Sequence, residues 1–312
     1  MPLVTSDIIT NNNLPVASDH LVYPWLLPGR LSLFVGVTNV GKTTLTLEFI
    51  AQMLKGDHLW DRFPCRRISS VLYLHAEHTL ATLQEAAQAR GDIPVGSVHV
   101  VHEFGSNGSA LIVNEKINAA LIHELDTLLA KLRPELIVAE PLSAFVGTSE
   151  NSNSEVRTVV NILANLGAKY NAAVMAHHHT GKAVFDPERQ AARQEGVATG
   201  EARGAMAFED AAERVVYLHR GKDQTHIRLE TPKAKGFPVS PIQLLFDEDT
   251  LSYEYVSNPM AERDLIAIYS RRRKMPSEPI NETIEHFRTL WKCSPNRVQL
   301  LIKRARRVGL LE

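Results

Sequence analysis

Residues 36 to 44, Gly36-Val37-Thr38-Asn39-Val40-Gly41-Lys42-Thr43-Thr44, hold the chain's one match to the pattern Gly, four residues, Gly, Lys, then Ser or Thr. Glycines in such a loop let backbone N–H groups wrap a phosphate chain, and the helix that follows adds the positive end of its dipole. Lys42 is placed to reach the β- and γ-phosphates, and the Thr43 hydroxyl is a hard oxygen ligand for Mg2+. All nine residues are therefore candidates for holding the nucleotide, with ATP and Mg2+ as the implied cofactors. The alternative is a glycine-rich strand–helix turn with no ligand. Context argues against it, because the loop follows the apolar run LSLFV and opens a helix with Leu45, Phe49 and Ile50 inward.

Further along stand the other groups with chemistry to offer. Glu77, after VLYLHA, is a carboxylate that could activate water against a γ-phosphate, or a capping or surface residue. Glu140, ending ELIVAE, stands where a Walker B carboxylate holds Mg2+ through water. His177, His178 and His179 end another apolar run. Metal binding by them lacks a cysteine or carboxylate cluster at ligand spacing, and neighbours in a strand point to alternate faces. Lys233 and Lys235 read from the residues alone as hairpin lysines. Arg271, Arg272, Arg273 and Lys274 form a basic run, either a solvated helix end or a DNA contact.

The elements that must position these groups are legible as a rhythm. Apolar runs at 31–35, 70–76, 98–102, 135–139 and 172–177 alternate with the helical stretches TLTLEFIAQML, TLATLQEAAQAR, NEKINAALIHELDTLLAKL and SEVRTVVNILANLGAKY. Continuous apolar strands between amphipathic helices predict an α/β doubly wound, mostly parallel sheet covered on both faces. From about residue 214, short runs between Gly, Asp, Lys and Pro turns predict antiparallel strands that extend the sheet. Gly181 to Ala202 reads as a long loop of the kind that carries function. Three short helices are expected at about 260–273, 281–292 and 295–308, the last with a Ser-Pro start. Helix-turn-helix and winged-helix modules share that outline, as do ordinary helical caps. The expected organisation is a tail over 1–20, an ATPase core over 21–257 and a small basic helical segment over 258–312.

Bulk properties narrow the class. Of 312 residues, 44% are hydrophobic and 22% charged, as in ordinary globular proteins. No apolar run approaches the roughly 20 residues of a membrane span, and the polar start lacks a secretory apolar region. Cys65 and Cys293 are too few for a disulfide framework and suit a reducing cytoplasm. From Pro259 onward there are 12 Lys or Arg against 6 Asp or Glu, so a basic tail follows an acidic body. Both a nucleic-acid contact and solvated helix faces give such a count.

In chain order stand WLLPGRLSLFVGVTNVGKTT, VLYLHAE, LIVAEPLSAFVGTSENSNSEV, AHHHTGK, ARGAMAFEDAAERVVYL and PKAKGFP. The series, over about residues 24–256, resembles the RepA-type hexameric replicative helicases. More broadly it is similar to the RecA/DnaB-like P-loop ATPases of plasmids, phages and mobile elements. The resemblance implies a RecA-like core in which Glu77 is the catalytic glutamate. His178 or His179 would sense the γ-phosphate and couple it to the following DNA-facing loop. Lys233 and Lys235 match a basic finger pair inserted into the neighbouring subunit's site, and Arg203 or Arg214 matches an interface arginine. The implied activity is that of a ring-forming, Mg-dependent ATPase, hexamers favoured, acting on single-stranded DNA as a helicase. An ATP-dependent DNA-binding or loading switch, recruiting a replication or recombination partner, is the alternative. A small-molecule kinase lacks a recognisable acceptor pocket. The family usually has Asp where this chain has Glu140, which predicts retained ATP binding with slower turnover.

Overall fold

Alternation of side chains along each strand gives the central sheet two apolar faces, and the helices divide between them. The computed structural model describes residues 20–60, 62–76, 80–102, 110–113, 116–146, 153–179, 211–220, 226–234, 239–247, 250–257, 271–272, 274–275, 278–291 and 302. The first strand, β1 (Leu31–Gly36), leads into α1 (Lys42–Lys55). It is followed by β2 (Val71–His75), α2 (Leu80–Arg90) and β3 (Val98–His102). A short ribbon, β4 (Ile112–Val113) with β5 (Lys116–Ile117), precedes α3 (Ala119–Leu132), β6 (Leu136–Glu140), α4 (Asn153–Tyr170) and β7 (Ala173–His179). The chain continues through β8 (Arg214–Arg220), β9 (His226–Ala234), β10 (Val239–Asp247) and β11 (Ser252–Ser257), and α5 (Ile280–Trp291) follows.

The sheet order is β11-β10-β9-β8-β1-β7-β6-β2-β3. Strands β3, β2, β6, β7, β1 and β8 run parallel, and β9, β10 and β11 are added antiparallel. On one face Phe34, Tyr73, Val138 and Met175 pack against Phe49, Ile50 and Met53 of α1, with Trp25 and Trp60 closing the layer. On the other, Leu33, Val35, Ile137, Ala139 and Val174 pack against Val156, Val160 and Leu163 of α4 and Leu125 and Leu129 of α3. Strand β1 lies between β7 and β8, so the carboxyl ends of β1, β6 and β7 open at a switch in strand order. Open α/β sheets bind ligands there.

Two details differ from the sequence expectation. Strand β8 pairs parallel with β1, Ser32 opposite Arg214 and Gly36 opposite Leu218, and the antiparallel extension starts only at β9. A parallel partner for β1 requires the chain to return to the amino end of the sheet after β7, and the intervening residues supply that length. Helix α3 begins at Ala119 rather than near 114. Asn118 caps it, its side chain accepting from the Leu121 N–H at 3.2 Å, while Ile112 pairs with Ile117 just before. In α5, Ile284 and Phe287 are buried. The helix expected at 295–308 and the basic run's Arg273 lie outside the described residues apart from Ile302, as does most of 260–273.

One buried ion pair fastens the antiparallel strands to the helical layer. Arg90, at the end of α2, donates from Nη1 to Glu48 Oε2 on α1 at 2.7 Å and to the Leu251 carbonyl before β11 at 2.6 Å. Its Nε and Nη2 each reach Asp92 at 3.1 Å, and the Arg90 and Glu48 side chains are 3% and 4% exposed. Burial pushes the Glu48 carboxyl up, against the opposing pull of the Arg90 charge. Arg90→Ala would leave that buried carboxyl without its charged partner, and a broken buried pair costs about 3–5 kcal/mol. Urea unfolding of the variant is expected to show a loss of that size.

Candidate nucleotide-binding site

The loop after β1 is shaped by what its backbone has to avoid. Gly41 adopts φ of 100°, the left-handed region, and a Cβ there would run into the Tyr253 hydroxyl and approach Ile227 Cδ1 at 3.2 Å. Gly36 has Val40 Cγ1 within 2.8 Å of where a Cβ would stand. Val40 is turned inward, 1% exposed. Helix α1 starts with no side-chain cap and no acidic residue in its first turn. Its first N–H groups and the positive end of its dipole are thus directed at the loop, the arrangement that binds phosphate. Tyr253 Oη donates to the Gly41 carbonyl at 3.3 Å, and burial pushes its phenol well up, so it stays a protonated donor.

Lys42 is 5% exposed, and its Nζ donates to the carbonyls of Gly36 at 3.0 Å and Val37 at 2.9 Å. The same Nζ lies 3.1 Å from His179 Nδ1. Thr43 Oγ1 donates to Glu140 Oε1 at 2.6 Å. Glu140 is fully buried; its Oε2 accepts from the Tyr73 hydroxyl, and His177 Nδ1 lies 2.9 Å from Oε1. His177 Nε2 in turn meets Thr46 Oγ1 at 2.8 Å. Burial alone would raise the Glu140 carboxyl. The charge and hydrogen bond of His177, with the hydroxyls of Thr43 and Tyr73, outweigh it and hold the group well below the usual carboxylate range. Glu140 is an ionised carboxylate at neutral pH.

The structure thus brings together Lys42, Thr43, Glu140 and His179. His178 projects to the opposite face, 7% exposed, where burial and the charges of His179 and Lys42 push its imidazole down to about 4. Arg214 stands at the amino end of β8, remote from Gly36. It is 3% exposed, with Nη2 3.3 Å from His20 Nε2, and burial lowers its guanidinium. The Lys233 backbone lies in β9 opposite Val215. Glu77, Arg203, Lys235 and the loop 181–202 lie outside the described residues. Among the described residues no group of three His, Cys, Asp or Glu side chains is arranged to hold a metal.

Three residues of this site were not singled out in the sequence, Tyr73, Thr46 and Tyr253, and His177 was named there only as one of three histidines, with no role of its own. His177 carried a usable signal, since it shares strand parity with His179. Tyr73 and Tyr253 reach the site only through strand order and register, which no local pattern encodes.

A lysine and threonine at a glycine-turned helix start, facing a buried carboxylate at the carboxyl ends of parallel strands, define a P-loop nucleotide-binding protein. The chain belongs to the AAA domain family, a P-loop ATPase type, whose family model matches residues 3–184, more than half of its length. None of the curated proteins matches it. No helix among the described residues is long and apolar enough to cross a membrane.

Two outcomes follow for this site. Gly41→Ala combines a left-handed backbone with a clash against Tyr253, each costing about 1–3 kcal/mol. It is expected to lower the melting temperature and weaken binding of a fluorescent ATP analogue. His178 is held neutral in the folded state at pH values where the unfolded chain takes up a proton. Its contribution is complete above pH 6.5 and is lost as pH falls toward about 4. Unfolding measured across that window should lose on the order of 3 kcal/mol to this group, given about 1.4 kcal/mol per pKa unit. His178→Gln should flatten that part of the profile.

Proposed function

We propose that this AAA-family protein is a magnesium-dependent, ATP-hydrolysing motor that assembles into rings, hexamers favoured, and works on single-stranded DNA as a replicative-type helicase. The observation that carries the reading is the 3.1 Å approach of His179 Nδ1 to Lys42 Nζ. His179 is the last residue of β7, and the chain passes from it directly toward residues 181–202, for which the resemblance implies a DNA-facing loop. A group that touches the phosphate-binding lysine at the root of that segment can report phosphate occupancy to it.

The register of β9 supports a shared site. Leu229 stands beside Leu218, at the level of Gly36, whereas Lys233 stands opposite Val215, at the level of Leu33. At ~3.3 Å per residue, the three positions from Gly36 to Leu33 put Lys233 about 10 Å down the sheet from its own phosphate loop. That backbone position is compatible with the neighbouring-subunit role that the resemblance implies for Lys233. Arg214, buried against His20, does not suit that task, which leaves Arg203, Lys233 and Lys235 as the finger candidates.

The Thr43 hydroxyl and the Glu140 carboxylate, 2.6 Å apart beside the loop, are the hard oxygen donors that magnesium takes. They would hold the ion, Glu140 through water, and when bound it neutralises charge on the phosphates. Lys42 and the α1 N-terminus would bind the phosphate chain, His179 beside Lys42 would sense it, and Glu77 would orient the attacking water.

Lys42→Ala is expected to abolish ATP hydrolysis and to weaken nucleotide binding at least tenfold, on the order of 1.4 kcal/mol or more. In the parent protein, single-stranded DNA should stimulate hydrolysis, and a forked duplex should be unwound in an ATP-dependent manner. Hydrolysis that survives Lys42→Ala would refute the site. Assembled protein that neither binds DNA nor responds to it would refute the motor, and assembly on DNA without unwinding would favour the loading switch.

A further inference from the structure

We propose that Tyr73 and His177 are positioning residues for the magnesium site: together they hold the Glu140 carboxylate from behind and set where it meets Thr43. The inference rests on the magnesium–ATP reading above and assigns to it two residues that lie outside the phosphate loop.

The geometry begins with a cross-strand row. His75 stands opposite Glu140, and Phe34 opposite His177. Ala139 stands opposite Ala176, so one step further Glu140 stands beside His177. Glu140 and His177 therefore project from adjacent strands toward α1, and Tyr73 reaches the same carboxylate from β2. Each carboxylate oxygen has its own partner. Oε2 takes the Tyr73 hydroxyl, while Oε1 takes the Thr43 hydroxyl at 2.6 Å and faces His177 Nδ1 at 2.9 Å.

Of these three groups only Thr43 belongs to the phosphate loop. A threonine hydroxyl ligates a metal through an oxygen lone pair and keeps its proton for Glu140, so the contacts that fix the rest of the carboxylate are those of Tyr73 and His177. His177 is itself held at Nε2 by Thr46, three residues after Thr43 on α1 and thus on the same side of the helix. One helix therefore presents a hydroxyl to each side of the Glu140–His177 pair. Groups that orient a carboxylate in this way are conformational determinants of a metal site as much as its ligands are.

The arrangement also fits the length of glutamate. An aspartate at position 140 would draw the carboxylate back by one C–C bond, about 1.5 Å. Contacts of 2.6–2.9 Å would then lengthen beyond hydrogen-bond range. The reach of Glu140 is thus matched to where Tyr73 and His177 stand.

The test uses the full chain with a non-hydrolysable ATP analogue and Mn2+, read by electron paramagnetic resonance. Tyr73→Phe removes one hydroxyl and no volume of consequence; His177→Leu removes the imidazole; His177→Asn keeps a donor near the Nδ1 place. Losing an outer partner of a metal site weakens metal affinity about 10–100-fold. Tyr73→Phe and His177→Leu are accordingly expected to weaken Mn2+ binding about tenfold or more, with His177→Asn recovering most of the loss. Binding of the same analogue without metal should stay at the parent's level in all three, which a merely structural defect would not allow. Folded Tyr73→Phe protein with the parent's Mn2+ affinity overturns the proposal, and this variant decides alone if His177→Leu does not fold. A parent protein whose Mn2+ binding ignores the nucleotide overturns the magnesium reading itself, and the inference with it.

Discussion

An ionised carboxylate with no solvent exposure has to find its compensation inside the protein, and Glu140 finds it on three separate elements. The Thr43 hydroxyl comes from α1, the Tyr73 hydroxyl from β2 and the His177 imidazole from β7. Satisfying this one charge therefore fixes how the first helix sits over the sheet. Because the phosphate loop is the connection between β1 and that helix, its curvature follows from the same requirement. Lys42 and His179 meet one level above, at the carboxyl ends of β1 and β7, where the strand order switches.

The parts of this arrangement that were legible in the sequence are those written in consecutive residues. The phosphate loop, the apolar strands and the amphipathic helices each announce themselves within a dozen positions. Every strand run read from the sequence has a strand within two residues of it, apart from β9, which continues four residues further to Ala234. What was not legible depends on partners far apart in the chain. Nothing near residue 73 says that its hydroxyl meets a carboxylate 67 positions later. The parallel pairing of β8 with β1 was hidden for the same reason, since apolar alternation looks alike in either direction. The ribbon at 112–117 was missed because Asn118, a strong cap, was read as helix interior.

Histidine illustrates the limit well. Three in a row supply no ranking by themselves, and strand alternation only separates them into a pair and a single. The fold then gives each a different neighbour: His177 meets Glu140 and Thr46, His179 meets Lys42, and His178 is sealed on the far face. Three identical side chains thus acquire three electrostatic surroundings within one strand.

The residues matched by the family model end at 184, but the packed core continues beyond them. Ile227, Leu229, Ile242, Leu244 and Tyr253 belong to the same apolar cluster as Phe49 and Ile50 of α1. Tyr253 bears on Gly41, and Arg90 is fastened to the Leu251 carbonyl. The later strands, which lie beyond the residues that the family model matches, form the buttress against which the most recognisable loop is braced.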